Sequence, residues 1–122
     1  MAYAVPKEAY NGKVLNVKFG KDANAVSIGG ENAMPFLSFE GGIPNKPVIA
    51  FEIQDMPPDD WPDTVKNQFA GVSSDPVKWA QHCQNELKAQ AIALRLISTH
   101  PDRENRSPQD AAKTVKDVLS AI

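Results

Sequence analysis

Pro47-Val48-Ile49-Ala50-Phe51-Glu52-Ile53-Gln54-Asp55 is a short, almost continuous apolar run closed by a polar pair. Pro47 stands before the run and Pro57-Pro58 after it, so it reads as one strand buried on both faces rather than as part of a helix. Gln54 and Asp55 fall at its carboxyl end, where parallel α/β sheets and barrels place their working residues. A second strand of the same character, Ile92-Ala93-Leu94-Arg95-Leu96-Ile97, follows after helical sequence. The two strands and the helix between them form a βαβ unit.

The connecting segment supports that reading. Pro62 suits the first position of a short helix, and Asp59, Asp60 and Asp63 suit the positive end of its dipole. Val65 and Phe69 form an apolar pair one turn apart. Gly71 to Ser74 interrupts it, and Asp75-Pro76 starts a longer helix with Trp79, Ala80, Cys83 and Leu87 as the buried stripe. His82 lies beside that stripe, a position more typical of a locally paired residue than of a ligand. With Pro57, Pro58 and Pro62 around it, Trp61 reads as local packing rather than a stacking surface for a ligand.

After the second strand, residues 98–106 are polar and charged and read as a βα loop. Ser107-Pro108-Gln109-Asp110 then combines an N-cap serine, a proline at the first helical position and an acid three residues after the cap. Ala111, Ala112, Val115, Leu119 and Ile122 follow at helical spacing.

Residues 1–46 differ in character. Leu15, Val17 and Phe19 alternate with polar residues, Gly20 to Asn24 supplies a turn, and Val26 and Ile28 flank Ser27, the pattern of a β-hairpin. Met34, Phe36, Leu37 and Phe39 are too apolar for a free linker and read as a plug or cap. Gly29-Gly30 and Gly41-Gly42 lack the strand-to-helix context and the lysine of a phosphate loop, so they read as turns. The division expected is a hairpin and capping segment over 1–46 and two βα units over 47–122.

Composition narrows the function. Thirteen Lys and Arg against fifteen Asp and Glu give a net charge of −2, which does not favour nucleic acid or an anionic membrane as partner. The apolar stretches are too short to span a bilayer, and Met1 to Pro6 lacks the features of a signal peptide, so the cytoplasm is the expected compartment. One cysteine, Cys83, cannot form an internal disulfide or hold an iron–sulfur cluster. At its apolar position it reads as a small hydrophobe.

Val26-Ser27-Ile28-Gly29-Gly30-Glu31, Met34-Pro35-Phe36, Phe39-Glu40-Gly41, Pro44-Asn45-Lys46-Pro47, Glu52-Ile53-Gln54-Asp55, Asp60-Trp61-Pro62, Asp75-Pro76-Val77-Lys78-Trp79-Ala80 and Asn105-Arg106-Ser107, in that order, resemble the amino-terminal part of the small subunit of corrinoid iron–sulfur proteins. This family is also known as the delta subunit of the acetyl-CoA decarbonylase/synthase complex. The resemblance implies an α/β fold, the beginning of a (β/α)8 TIM barrel preceded by the hairpin. A full barrel takes about 250 residues and eight βα units, so two units read as the first portion of such a subunit, a fragment or a truncated product.

The resemblance further implies an accessory, non-catalytic subunit in the reductive acetyl-CoA pathway. Cobalamin and a [4Fe–4S] cluster would sit on a partner large subunit in a heterodimer, with no cofactor bound by this chain alone. The assembly would carry a methyl group from methyltetrahydrofolate or a related pterin, meeting the pterin methyltransferase and acetyl-CoA synthase transiently. Gln54, Asp55, Ser98, Thr99, Asn105 and Arg106 would lie at the carboxyl ends of the strands, and their amide, hydroxyl and guanidinium groups suit a corrinoid's amides and phosphate. No catalytic residue or metal ligand is expected. His100 before Pro101 reads as a turn residue. Two other readings stay open: a pterin-binding methyltransferase-like enzyme using Asp55 and Asn105, and a small α+β protein-interaction module.

One local departure accompanies the resemblance. Where relatives close the Trp79 helix with a Tyr-Gly-Ala-Asp type sequence, this chain has Leu87-Lys88-Ala89-Gln90. If the left-handed C-terminal conformation is kept without glycine, it costs about 1 kcal/mol.

Overall fold

The computed structural model describes residues 2–122, which divide into two compact units, one ending at Val48 and one spanning Ile49–Ile122. The amino-terminal unit is built on an antiparallel hairpin of β1 (Val17–Phe19) and β2 (Val26–Ile28), with Val17 opposite Ile28 and Phe19 opposite Val26. The turn expected between them is present, with Gly20 at φ +89° and a single 3-10 turn over Asp22–Asn24. Gly29 at φ +78° packs so closely on the chain that a Cβ there would lie 2.1 Å from the Leu15 carbonyl oxygen, so its role is close backbone approach. The unit is held further by Glu40, whose carboxylate accepts from the Tyr10 hydroxyl at 2.8 Å and the Glu8 N–H at 2.9 Å.

Of the apolar residues after the hairpin, read as a plug or cap, Met34, Phe36 and Phe39 are 56%, 76% and 46% exposed, and Pro35–Leu37 makes one 3-10 turn.

The second unit is the expected βαβ arrangement. Strands β3 (Ala50–Gln54) and β4 (Ala91–Arg95) run parallel with Ile53 opposite Leu94 and Gln54 opposite Arg95. The crossover contains α1 (Asp63–Lys66), a 3-10 turn over Asn67–Phe69, and α2 (Pro76–Asn85). A last helix, α3, covers Pro108–Ala121. The fold of this unit is α/β, and among the described residues no helix is long and apolar enough to cross a membrane.

Both longer helices begin as their sequences require. The Asp75 carboxylate accepts the N–H groups of Val77 and Lys78 at 2.9 and 3.3 Å, and the Ser107 hydroxyl oxygen accepts that of Asp110 at 3.2 Å, each followed by proline at the first turn. Pro62 precedes α1 instead of opening it.

The core is Ile53, Trp79, Ala80, Cys83 and Val118, flanked by Phe51, Trp61, Phe69, Ile92 and Leu94. Trp61 meets Trp79 edge-on at 5.6 Å and Phe69 at 5.9 Å, so this tryptophan is a packing residue. His82 stands against the Phe69 ring at 6.1 Å.

Three packing expectations are revised. The strand β3 is not buried on both faces along its length: Phe51 and Ile53 pack with the core, while on the other face Ala50 and Glu52 are exposed and only Gln54, at the carboxyl end, is buried. The period-2 alternation of the strand puts Glu52 beside Arg95 of β4 on the open face, at 3.5 Å. Leu87 lies beyond the end of α2 and is 40% exposed. In α3, Val118 is the buried residue and Leu119 is 69% exposed, because the covered stripe of the helix runs through Ala111, Thr114, Val115 and Val118, one position off the stripe read from spacing.

At the end of α2 the left-handed conformation is kept without glycine. Lys88 has φ +55°, the Ala89 N–H reaches the Cys83 carbonyl at 2.9 Å, and the Lys88 ammonium donates to the Asn85 carbonyl at 2.6 Å.

Candidate functional site

The carboxyl ends of β3 and β4 lie side by side because the strands are parallel, so the loops that follow them form the two walls of one cleft of about 420 Å³. Met56, Pro57, Leu96 and Ile97 give it an apolar floor, and Asp59, Asp60, Arg95, His100, Asp102 and Arg103 give it a charged rim. Such a position, outside the carboxyl ends of parallel strands, is the usual ligand site of α/β folds.

The sequence-predicted residues fall into three groups. Gln54, at the end of β3, and Thr99 line the cleft; the Thr99 hydroxyl donates to the Leu96 carbonyl at 2.8 Å, leaving oxygen lone pairs free to accept.

Asp55 and Ser98 form the second group, 6% and 0% exposed. The Asp55 carboxylate accepts the Ser98 N–H at 3.1 Å through one oxygen and the Ser98 hydroxyl through the other. The Asp55 N–H donates to the Arg95 carbonyl at 3.2 Å. This pair ties the first residue after β3 to the single 3-10 turn Ile97–Thr99 that follows β4. Its carboxylate is a bond between loops rather than a group presented to solvent.

Asn105 and Arg106 make the third group and do not join the cleft lining. Asn105 adopts φ +47°, a conformation asparagine tolerates. The Arg106 guanidinium pairs with Glu104 at 2.6 Å while its backbone N–H donates to the Ser98 carbonyl at 3.0 Å. Their contribution is to the shape of the loop. His100 does line the cleft, and its Nδ1 accepts the Asp102 N–H at 3.1 Å, the turn geometry expected of it.

Sequence reasoning missed Asp59 and Arg103. Asp59 was expected at the dipole of α1; its carboxylate instead meets the Arg103 guanidinium of the opposite loop at 2.5 Å. That hydrogen bond and charge hold the Asp59 carboxyl below its ordinary pKa of 3.8 and push the arginine up. Nothing in the spacing of 59 and 103 reveals a partner forty-four residues away.

Cofactor-holding capacity is narrow. Among the described residues no group of three or more His, Cys, Asp or Glu side chains is placed to hold a metal ion. Cys83 is 1% exposed in the core against Trp79 and Ile53, and burial pushes its thiol up, the opposite of what a thiolate ligand needs.

The profile of the family described as CO dehydrogenase/acetyl-CoA synthase delta subunit matches residues 16–122. The chain is 37% identical over 123 residues to the acetyl-CoA decarbonylase/synthase complex subunit delta of Methanocaldococcus jannaschii, covering 96% of this chain and 30% of that protein. It is 35% identical to the subunit of the same name from Methanothermobacter thermautotrophicus, again over 96% and 30%. For Archaeoglobus fulgidus the figures are 31% identity, 95% and 27%. The chain thus spans about three tenths of the length of these curated relatives.

Proposed function

The chain belongs to the CO dehydrogenase/acetyl-CoA synthase delta subunit family, and from that premise we propose that it is an accessory portion of a corrinoid iron–sulfur methyl carrier within an acetyl-CoA decarbonylase/synthase complex. The relatives' names place them in such a complex. The partner is a large subunit holding cobalamin and a [4Fe–4S] cluster in a cytoplasmic heterodimer, with acetyl-CoA synthase and a pterin methyltransferase as transient partners.

The observation that carries the reading is the family match over residues 16–122, on a chain whose cleft stands at the carboxyl ends of two parallel strands. The open strand face with Ala50, Glu52 and Arg95 supports a barrel context, in which one face of each strand turns to helices and the other to the barrel interior.

A corrinoid held by the partner supplies the methyl-carrying chemistry. Gln54 and Thr99 would meet its peripheral amides from within the cleft, while Asp55 and Ser98 fix the two loops that present them. Asn105 and Arg106 would act from the outer turn of the second loop. The pterin-binding enzyme reading is weaker, because its two residues are not available together: Asp55 is engaged by Ser98 and Asn105 is outside the cleft lining.

The test is co-expression of the full chain with a large corrinoid subunit, followed by size exclusion with absorbance detection. Co-elution, with corrinoid absorbance in the complex and none on this chain alone, is expected. Failure to associate, or uptake of methyltetrahydrofolate by this chain alone in calorimetry, overturns the proposal.

A further inference from the structure

The two walls of the cleft are joined twice, and the two joints differ in kind. At the back, Asp55 and Ser98 are 6% and 0% exposed and share two hydrogen bonds. At the rim, Asp59 and Arg103 meet through one ion pair at 2.5 Å, with side chains 64% and 45% exposed.

A buried, charge-assisted pair is expensive to open, because the separated groups lose their partners before water reaches them. An exposed ion pair is cheap to open and is screened by salt. From this contrast we infer that the Asp55–Ser98 pair is a fixed hinge and the Asp59–Arg103 pair a releasable latch across the mouth of the cleft, so that access is controlled by local electrostatics.

The loop that bears the latch is suited to move. The Arg106 N–H closes the base of this loop on the Ser98 carbonyl at 3.0 Å, and inside that closure the bonds all converge on His100: the Arg103 N–H to its carbonyl at 2.9 Å, the Asp102 N–H to its Nδ1 at 3.1 Å, and the Asn105 N–H to its carbonyl at 3.3 Å. On the other wall, the Lys66 ammonium donates to the Asp59 carbonyl at 2.9 Å, which steadies the Asp59 side of the latch. The moving part is therefore the segment carrying His100 to Arg103. The latch governs access to the cleft whichever ligand the cleft takes.

Residue-resolved hydrogen exchange on the intact chain tests it. Raising potassium chloride from about 20 mM to about 1 M should speed exchange at the Asp102 and Arg103 amides by about two- to fivefold and leave the Ser98 amide unchanged. Arg103→Gln should give the fast rates at low salt and abolish their salt dependence. Lys113→Gln, which removes an exposed pair with Asp117 on α3, should do neither. A Thr99→Cys variant should be labelled by a thiol reagent faster at high salt, since Thr99 lines the cleft and Cys83 is buried. Salt-independent exchange at Asp102 and Arg103, acceleration of Ser98 together with them, or labelling of Thr99→Cys at one rate in both salts overturns the inference.

Discussion

Ser98 engages both oxygens of the Asp55 carboxylate, one through its N–H at 3.1 Å and the other through its hydroxyl. The two residues are forty-three positions apart and each follows one of the parallel strands, so a single side chain sets the spacing of the loops that wall the cleft.

Asp55→Ala leaves the Ser98 N–H and hydroxyl buried without an acceptor, and is expected to cost about 2–3 kcal/mol. Ser98→Ala removes one of the two bonds and should cost about 1–2 kcal/mol. In chemical denaturation, the double variant should be less destabilised than the sum of the single ones by at least about 1 kcal/mol. Strict additivity would mean that the two residues do not act as a pair.

Trp79 is the largest fully buried side chain and contacts two other aromatic rings, Trp61 at 5.6 Å and Phe69 at 5.9 Å. Trp79→Ala should lose about 3–5 kcal/mol, a large share of the stability of a small domain, read as a drop in thermal midpoint and loss of near-ultraviolet circular dichroism. Trp61→Ala, at a half-buried position, should cost less. Equal effects would displace Trp79 from the centre of the core.

Lys88→Gly relieves the left-handed backbone at φ +55° and forfeits the ammonium bond to the exposed Asn85 carbonyl. The strain is the larger quantity, so the variant should be more stable by about 1 kcal/mol. Urea unfolding checks the sign, and a destabilised variant would show that the lysine bond outweighs the strain.

The Asp59 carboxyl is held below its ordinary value of 3.8, first by the hydrogen bond from Arg103. A depressed folded-state pKa adds stability that is fully present above the ordinary value and is lost as pH falls through the lowered one. A carbon-13 titration should find the Asp59 midpoint below 3.8 in the parent chain and raised toward it in Arg103→Gln. Because both groups are exposed, the neutral-pH stability of Asp59→Asn should stay close to that of the parent. An unchanged midpoint in Arg103→Gln would assign the shift to the backbone around Asp59 instead.

Local signals carried much of the fold. Alternation of Val17 and Phe19 against Val26 and Ile28 produced the hairpin, the capping residues Asp75 and Ser107 with the prolines after them started α2 and α3, and the apolar runs read at 48–53 and 92–97 became the parallel strands Ala50–Gln54 and Ala91–Arg95, with Leu96 and Ile97 left outside the second. Each depends on residues within one turn or one strand of each other, so periodicity and short-range hydrogen bonding reveal them. The position of Gln54, Asp55, Ser98 and Thr99 at strand ends was legible for the same reason.

Which of those residues face the cleft and which lock its walls was a matter for the tertiary structure. Asp55 closed on Ser98, Asp59 left the helix dipole for Arg103, and Val118 took the buried place on α3 in preference to Leu119. The amino-acid order alone determined where the two longer helices begin and that Gln54 and Asp55 stand at the carboxyl end of a strand. Tertiary structure decided the long-range partners and the helix rotation, because these depend on which surfaces approach one another and how much water they exclude, quantities that no local pattern encodes.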